Sequence, residues 1–296
     1  MHVTILGSGS PHPDPEAGGS AILITVAGRH YLVDCGHGAT QRMVAAGVNP
    51  ASVGHVFLSH LHYDHVIDLP LFALSSWLVD RAEPLRIFGP AGTADFVGHL
   101  FVGGAFDADI RARSQFGRRK ENFCAVEPEV TEFMAGTIFE DGRLKVTAVP
   151  VKHVDDDIML CFGMRFDSAE GSVVFSSDTA PTEAIVELAG GVDLLIHECA
   201  MDEETMAHRL ETKVGIVNHT PPGELGKIAT RAGVKSVLAI HQGGKETTNP
   251  ILLEMTRHHI ADGQTGPGYF ARTVERIREH YDGPVQVARD LMRIDL

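Results

Sequence analysis

Apolar and polar positions fall into short blocks that alternate between strand-like and helix-like spacing. VTIL (3–6), AILITV (21–26) and HYLVD (30–34) are brief runs rich in β-branched residues, closed by glycine- or proline-bearing turns, and predict consecutive strands. HGATQRMVAAG (37–47) has helical spacing and stops at a glycine, and HVFLSH (55–60) predicts a further strand. VIDLPLFALSSWLVD (66–80) reads as a largely apolar helix interrupted near Pro70, whose stripe of Leu71, Phe72, Leu74, Trp77 and Leu78 belongs in a core. RIFGP (86–90) is a strand and turn, and TADFVGHLF (93–101) a helix.

No clean period runs from Gly103 to about Val130, so an insertion or lid is expected at about 103–135. The second half repeats the strand-then-helix rhythm. LKVTAVPV (144–151), CFGMRF (161–166), SVVFSSD (172–178), VDLLIHE (192–198) and VKSVLAIH (234–241) predict strands. PTEAIVELA (181–189), DEETMAHRLE (202–211), GELGKIATRAG (223–233) and YFARTVERIREHY (269–281) predict helices. Two β-rich halves with helices outside, and no linker, predict an α/β (α+β) fold: one domain over 1–296, a four-layer αββα sandwich.

Composition narrows the partners. Hydrophobic content of 44% and charged content of 22% are those of an ordinary globular protein. A formal charge of -14 gives an average field that repels phosphate, making nucleic acid an unlikely partner. The one dense basic run, Arg111 to Lys120, reads as a solvated loop. Cys35, Cys124, Cys161 and Cys199 are widely spaced without a C-x-x-C pair, which fits reduced thiols and a cytoplasmic setting. The opening MHVTILGSG lacks the marks of a signal peptide, and no apolar stretch approaches the roughly 20 residues that span a bilayer.

Chemistry concentrates at strand ends. His60, His153, Asp178, His197 and His241 each close a β-run, and groups at one end of a sheet converge in space. HLHYDH (60–65) offers three imidazoles and a carboxylate, a set suited to zinc and also to manganese or iron(II). His60 and His62 share a face of an extended segment and can grip one ion, while Asp64 and His65 fall at the turn into a helix and can face a second. Gly7-Ser8-Gly9 is not a dinucleotide loop, because His12 stands where the third glycine belongs, and no G-x-S-x-G elbow supports a serine nucleophile.

These residues resemble the metallo-β-lactamase superfamily, whose H-x-H-x-D-H signature is matched at every specified position of 60–65. LGSGSPHPDPEAGGSAILI and LVDCGHGATQRMVAAG, with Asp34 and Gly36 as a D-x-G turn, look like the ribonuclease Z and arylsulfatase-like branch. The resemblance implies two divalent ions: His60, His62 and His153 on the first, Asp64, His65 and His241 on the second, and Asp178 bridging. It also implies that ions roughly 3.5–4 Å apart share and activate a water, with Asp64 orienting it. His197-Glu198-Cys199-Ala200 and His219-Thr220-Pro221 resemble further stretches of that branch. They suggest His219, held by Glu198, as oxyanion stabiliser or proton donor.

The function expected is a metal-dependent hydrolase of a small molecule, with an ester, phosphodiester, sulfate ester, lactone or cyclic amide as target. The bacterial ribonuclease Z arm that grips tRNA would lie between His153 and Asp178, where only the 24 residues 154–177 stand. A tRNA 3′-processing endonuclease is therefore the alternative, and a non-catalytic protein that kept the fold a third reading. The family's habit implies a homodimer.

Overall fold

The computed structural model describes residues 1–214 and 218–296. The chain divides into two compact units, one built from 1–7, 19–134 and 291–295, the other from 8–18, 135–290 and 296.

The first unit holds strands β1 (His2–Gly7), β2 (Ala21–Val26), β3 (Arg29–Val33), β4 (Val53–Phe57), β5 (Arg86–Gly89) and β6 (Glu129–Glu132). They form one sheet in that order, with the terminal strand Arg293–Asp295 outside β1. Pairing is antiparallel through β3 and parallel from β3 to β6. Ala27 and Gly28, both with positive φ, make the two-residue turn that matches the twist of the β2–β3 hairpin. Every residue of β2 is buried, which is why AILITV is apolar throughout rather than alternating.

Helices α1 (Ala39–Ala45), α2 (Tyr63–Val66), α3 (Leu69–Leu78), α4 (Thr93–Gly98), α5 (Asp107–Arg113) and α6 (Gly117–Glu121) complete this unit. The interrupted helix expected over 66–80 is two helices, because Pro70 lacks a backbone N–H and starts α3 rather than continuing α2. Phe72 and Trp77 are core as expected, whereas Leu71 is 42% exposed. The stretch 103–135 forms α5, α6 and β6 and sends Ile110, Ala125 and Val126 into the same core. Arg81, buried with its guanidinium on the carbonyls of Ala73, Glu83 and Ala125, ties that stretch to α3; burial pulls its pKa down to about 10. The basic run 111–120 spans the end of α5, a turn and most of α6, with Arg111, Arg113 and Arg118 paired to Asp107, Asp109 and Asp80.

The second unit holds β7 (Gly136–Glu140), β8 (Lys145–Pro150), β9 (Phe162–Ser168), β10 (Gly171–Phe175), β11 (Leu194–Glu198), β12 (Val237–Ile240) and β13 (Val285–Val287), in sequential order across one sheet. β7 to β10 pair antiparallel and β10 to β13 parallel. Helices α7 (Glu183–Leu188), α8 (Glu203–Thr212), α9 (Pro222–Ala232), α10 (Pro250–Thr256) and α11 (Tyr269–Arg278) accompany it. Proline at the start and Gly233 at φ +62 just past the end delimit α9. A Cβ on Gly226 would stand 2.4 Å from the Ile277 carbonyl, so only glycine lets α9 and α11 approach this closely. Val174, Leu195, Ile185, Leu225, Ile228 and Ile277 share the core of this unit.

Topology aligns the functional strand ends. β10, β11 and β12 are mutually parallel, and β8, two antiparallel steps from β10, runs the same way. The residues just past these strands, His153, Asp178 and His241, and Glu198 at the end of β11, therefore emerge on one edge. In the first unit, parallel β3 and β4 bring Asp34 and His60 to a common edge.

Candidate metal centre

Each unit presents a cluster of metal-type donors at its strand ends. In the first, His60, Asp64 and His65 are buried and His62 is half-buried, on the turn between β4 and α2 and on α2 itself. His60 Nε2 and His62 Nδ1 converge to 3.1 Å. His65 Nε2 lies 3.7 Å from Asp64 Oδ2.

Asp34 anchors this cluster. Its Oδ1 accepts from the Ser59 N–H at 2.8 Å, and its Oδ2 accepts from Ser59 Oγ at 2.9 Å, Ser20 Oγ at 3.3 Å and His65 Nδ1 at 2.7 Å. Ser59 Oγ also lies 3.0 Å from His60 Nδ1. The D-x-G glycine has a steric reason: a Cβ on Gly36 would sit 2.0 Å from the Asp64 carbonyl, and one on Gly19 2.5 Å from the same oxygen.

In the second unit, Asp178 Oδ2 lies 3.7 Å from His153 Nε2 and 3.4 Å from His241 Nε2. Asp178, His219 and His241 place ligand atoms within 4.8 Å of one another, all three buried. His219 thus stands among the metal-type donors, closer than a separate acid–base role required. Its Nδ1 is 3.2 Å from Glu198 Oε1.

Glu198 is fully buried and accepts from the backbone N–H groups of Thr179, Thr220 and Ala200. Burial opposes its ionisation, but the neighbouring His219 outweighs this and holds its pKa below the ordinary glutamate value. His197 turns Nδ1 to the Glu198 carbonyl at 2.7 Å, and burial keeps its pKa low. Asp34, Ser177 and His241 are non-glycine residues with left-handed backbones, a strain that gathers at functional edges.

Convergent imidazole nitrogens and shared carboxylates are the arrangement a divalent cation fits, and the donor types suit zinc, manganese or iron(II). Some supporting residues were not anticipated. Asn218 brackets His153 with two bonds, its carbonyl 3.2 Å from Nδ1 and its Nδ2 donating to the His153 carbonyl at 2.8 Å. Its place just before His219 was the only sequence signal. Asp202, Lys245 and Tyr269 form a buried set beside the loop after His241: Lys245 Nζ and the Tyr269 hydroxyl both donate to Asp202 Oδ2, at 3.2 and 3.0 Å.

The metallo-β-lactamase fold protein YhfI of Bacillus subtilis superposes with a TM-score of 0.71 at 20% identity, covering 99% of each chain. A ribonuclease Z of Mycobacterium bovis is 30% identical over 300 residues, covering 100% of this chain and 98% of that one. The family model Anti-Pycsar protein Apyc1 matches residues 1–214. The chain belongs to the metallo-β-lactamase superfamily, in the branch of ribonuclease Z and Anti-Pycsar protein Apyc1. Human tRNase Z, short form, has the same fold, with a TM-score of 0.68 at 21% identity over 100% of this chain and 99% of that one. The α/β class and the superfamily fold expected from the sequence are thus shown, and the protein is a metal-dependent hydrolase.

These relatives overturn the expectation of a small-molecule substrate with nucleic acid unlikely, since a relative matched end to end is a ribonuclease Z. Net charge of -14 describes the surface average and does not set the field at a site that holds divalent cations. The missing arm does not separate the chain from ribonuclease Z either. An alignment of 300 positions barely exceeds the chain's 296 residues, so the M. bovis enzyme has no long insertion that this chain lacks. Among the described residues, no helix is long and apolar enough to cross a membrane.

Proposed function

We propose that the protein is a ribonuclease Z-like endonuclease that hydrolyses a phosphodiester bond of a tRNA precursor. Two divalent cations, zinc foremost, are held by His60, His62, Asp64, His65, His153, Asp178 and His241. The end-to-end likeness to ribonuclease Z carries this reading. It is supported by donor clusters at the strand ends of each unit. Reduced, dispersed cysteines favour a cytoplasmic setting, and a homodimer is the assembly proposed with it.

Divalent ions, when bound, supply Lewis acidity to the phosphoryl oxygens and lower the pKa of the attacking water. The chain's own residues do the rest. Asp64, buried beside His65, orients the water and takes its proton. His219 donates a proton to the leaving oxygen, and Glu198, kept ionised by its three backbone donors and by His219, stabilises the imidazolium.

The test is endonuclease activity on a 3′-extended tRNA precursor with zinc and with manganese, beside Asp64→Ala and His65→Ala. One discrete cut, abolished in both variants, is expected. A metal-loaded protein that leaves the precursor intact would refute the reading.

A further inference from the structure

His241 occupies a left-handed backbone at φ +70, which a residue with a side chain adopts only where its surroundings impose it. Its N–H donates to the Ser8 carbonyl at 3.1 Å. Ser8 is itself fixed from the other side. Its N–H and its hydroxyl both donate to Asp290 Oδ1, at 2.8 and 2.7 Å, and Asp290 Oδ2 accepts from the Gly18 N–H at 2.8 Å.

One carboxylate therefore takes three donors and closes the loop 8–18 at both ends, as the Gly9 N–H to Gly18 carbonyl bond of 2.7 Å also does. Bonds to a carboxylate are roughly twice as strong as neutral ones, so Asp290 is the firm point of this loop. The loop then packs on the residues after His241. A Cβ on Gly243 would lie 2.7 Å from the Ser10 nitrogen, Ser10 Oγ donates to the Gly243 carbonyl at 3.3 Å, and the Gly244 N–H donates to Asp14 Oδ2 at 2.9 Å.

We propose that Asp290 is a positioning residue for His241, acting through Ser8. The inference rests on His241 being a metal ligand and assigns Asp290 the task of fixing where its imidazole stands. The same unit contains a control. Asp193 Oδ2 accepts from the N–H and hydroxyl of Ser172 at 2.8 and 2.9 Å, an equivalent anchor at the opposite ends of β10 and β11 from Asp178 and Glu198.

The experiment is a zinc titration of chelator-stripped protein against a chromophoric competitor, with folding followed by circular dichroism, for wild type, Asp290→Ala, Asp290→Asn, Ser8→Ala and Asp193→Ala. Wild type is expected to bind two ions. Asp290→Ala should weaken one of them by about 10–100-fold, the range for lost support of a ligand. Asp290→Asn, which keeps one acceptor oxygen, should weaken the same ion less. Ser8→Ala, which loses only the hydroxyl bond, keeps the readout available if Asp290→Ala does not fold, and should also weaken that ion. Asp193→Ala should keep both affinities whatever its loss of thermal stability. Unchanged zinc affinity in folded Asp290→Ala, or in Ser8→Ala if Asp290→Ala is unfolded, overturns the proposal, as does an equal loss in Asp193→Ala. A wild-type protein that takes up no zinc removes the ligand reading itself.

Discussion

Asp34 Oδ2 lies 2.7 Å from His65 Nδ1, and both side chains are fully buried. The same oxygen accepts the Ser59 hydroxyl, whose own oxygen faces His60 Nδ1 at 3.0 Å. One carboxylate thereby places the Nδ1 proton on two imidazoles and leaves both Nε2 atoms as the donors a cation needs. Replacing Asp34 with Ala frees both rings and leaves the buried Ser59 N–H without its acceptor. Zinc affinity should fall about 10–100-fold, and stability by about 1–3 kcal/mol. Zinc titration and urea denaturation check the two effects separately. Wild-type zinc affinity in the variant would show that the rings are oriented by something other than Asp34.

Gly36 and Gly28 make a matched pair for separating steric need from backbone need. At Gly36 a methyl would collide with the Asp64 carbonyl, whereas at Gly28, with φ +74, it meets nothing within 4 Å. Gly36→Ala should therefore displace the turn that carries Asp64, costing about 1–3 kcal/mol and abolishing RNA cleavage. Gly28→Ala should cost about 1–2 kcal/mol of left-handed strain with cleavage unchanged. Thermal denaturation and the cleavage assay together decide it. Equal activity in the two variants would mean that the contact with Asp64 is dispensable.

The elements that carry the candidate donors were legible because local chemistry announces them. HLHYDH is contiguous, and His153, Asp178 and His241 each stand at or just past the end of an apolar run long enough to read. β6 and β7 were missed because their residues are mostly exposed or half-buried, so no apolar face marks them. β13 and the terminal strand are three residues each, too short for any period. The Ser8–Asp290 anchor spans 282 positions, and nothing near either residue signals the other. Long-range bonds between ordinary polar residues are set by the tertiary fold, and pattern reading does not reach them. Substrate class failed for a related reason, because a whole-chain charge says little about the local field at a strand end.

His219 offers a clean division between proton transfer and metal binding. Its position among Asp178 and His241 permits either role, and the contact with Glu198 favours the first. His219→Ala should lower kcat about 10²–10⁴-fold with little change in KM, while its metal content by elemental analysis stays that of the wild type. Glu198→Gln should follow in the same direction with a smaller loss. Loss of metal from folded His219→Ala, relative to wild type, would instead make the residue a ligand and pass the acid role elsewhere.

Acid sensitivity at Asp193 follows from its contacts. Lys235, 2.6 Å away, and the Ser172 donors pull its pKa from 3.8 to about 2. A carboxyl depressed in the folded state binds its proton more readily when unfolded. Its stabilisation is therefore fully present above pH 3.8 and is lost as pH falls from there through about 2. The side chain is 27% exposed, and solvent screening reduces the contribution to about 1 kcal/mol. Asp193→Asn should be less stable than wild type at pH 7 and converge toward it between pH 4 and 2. Urea midpoints at steps of pH measure the difference directly. Two curves that fall in parallel through that window would show that Asp193 carries no folded-state depression.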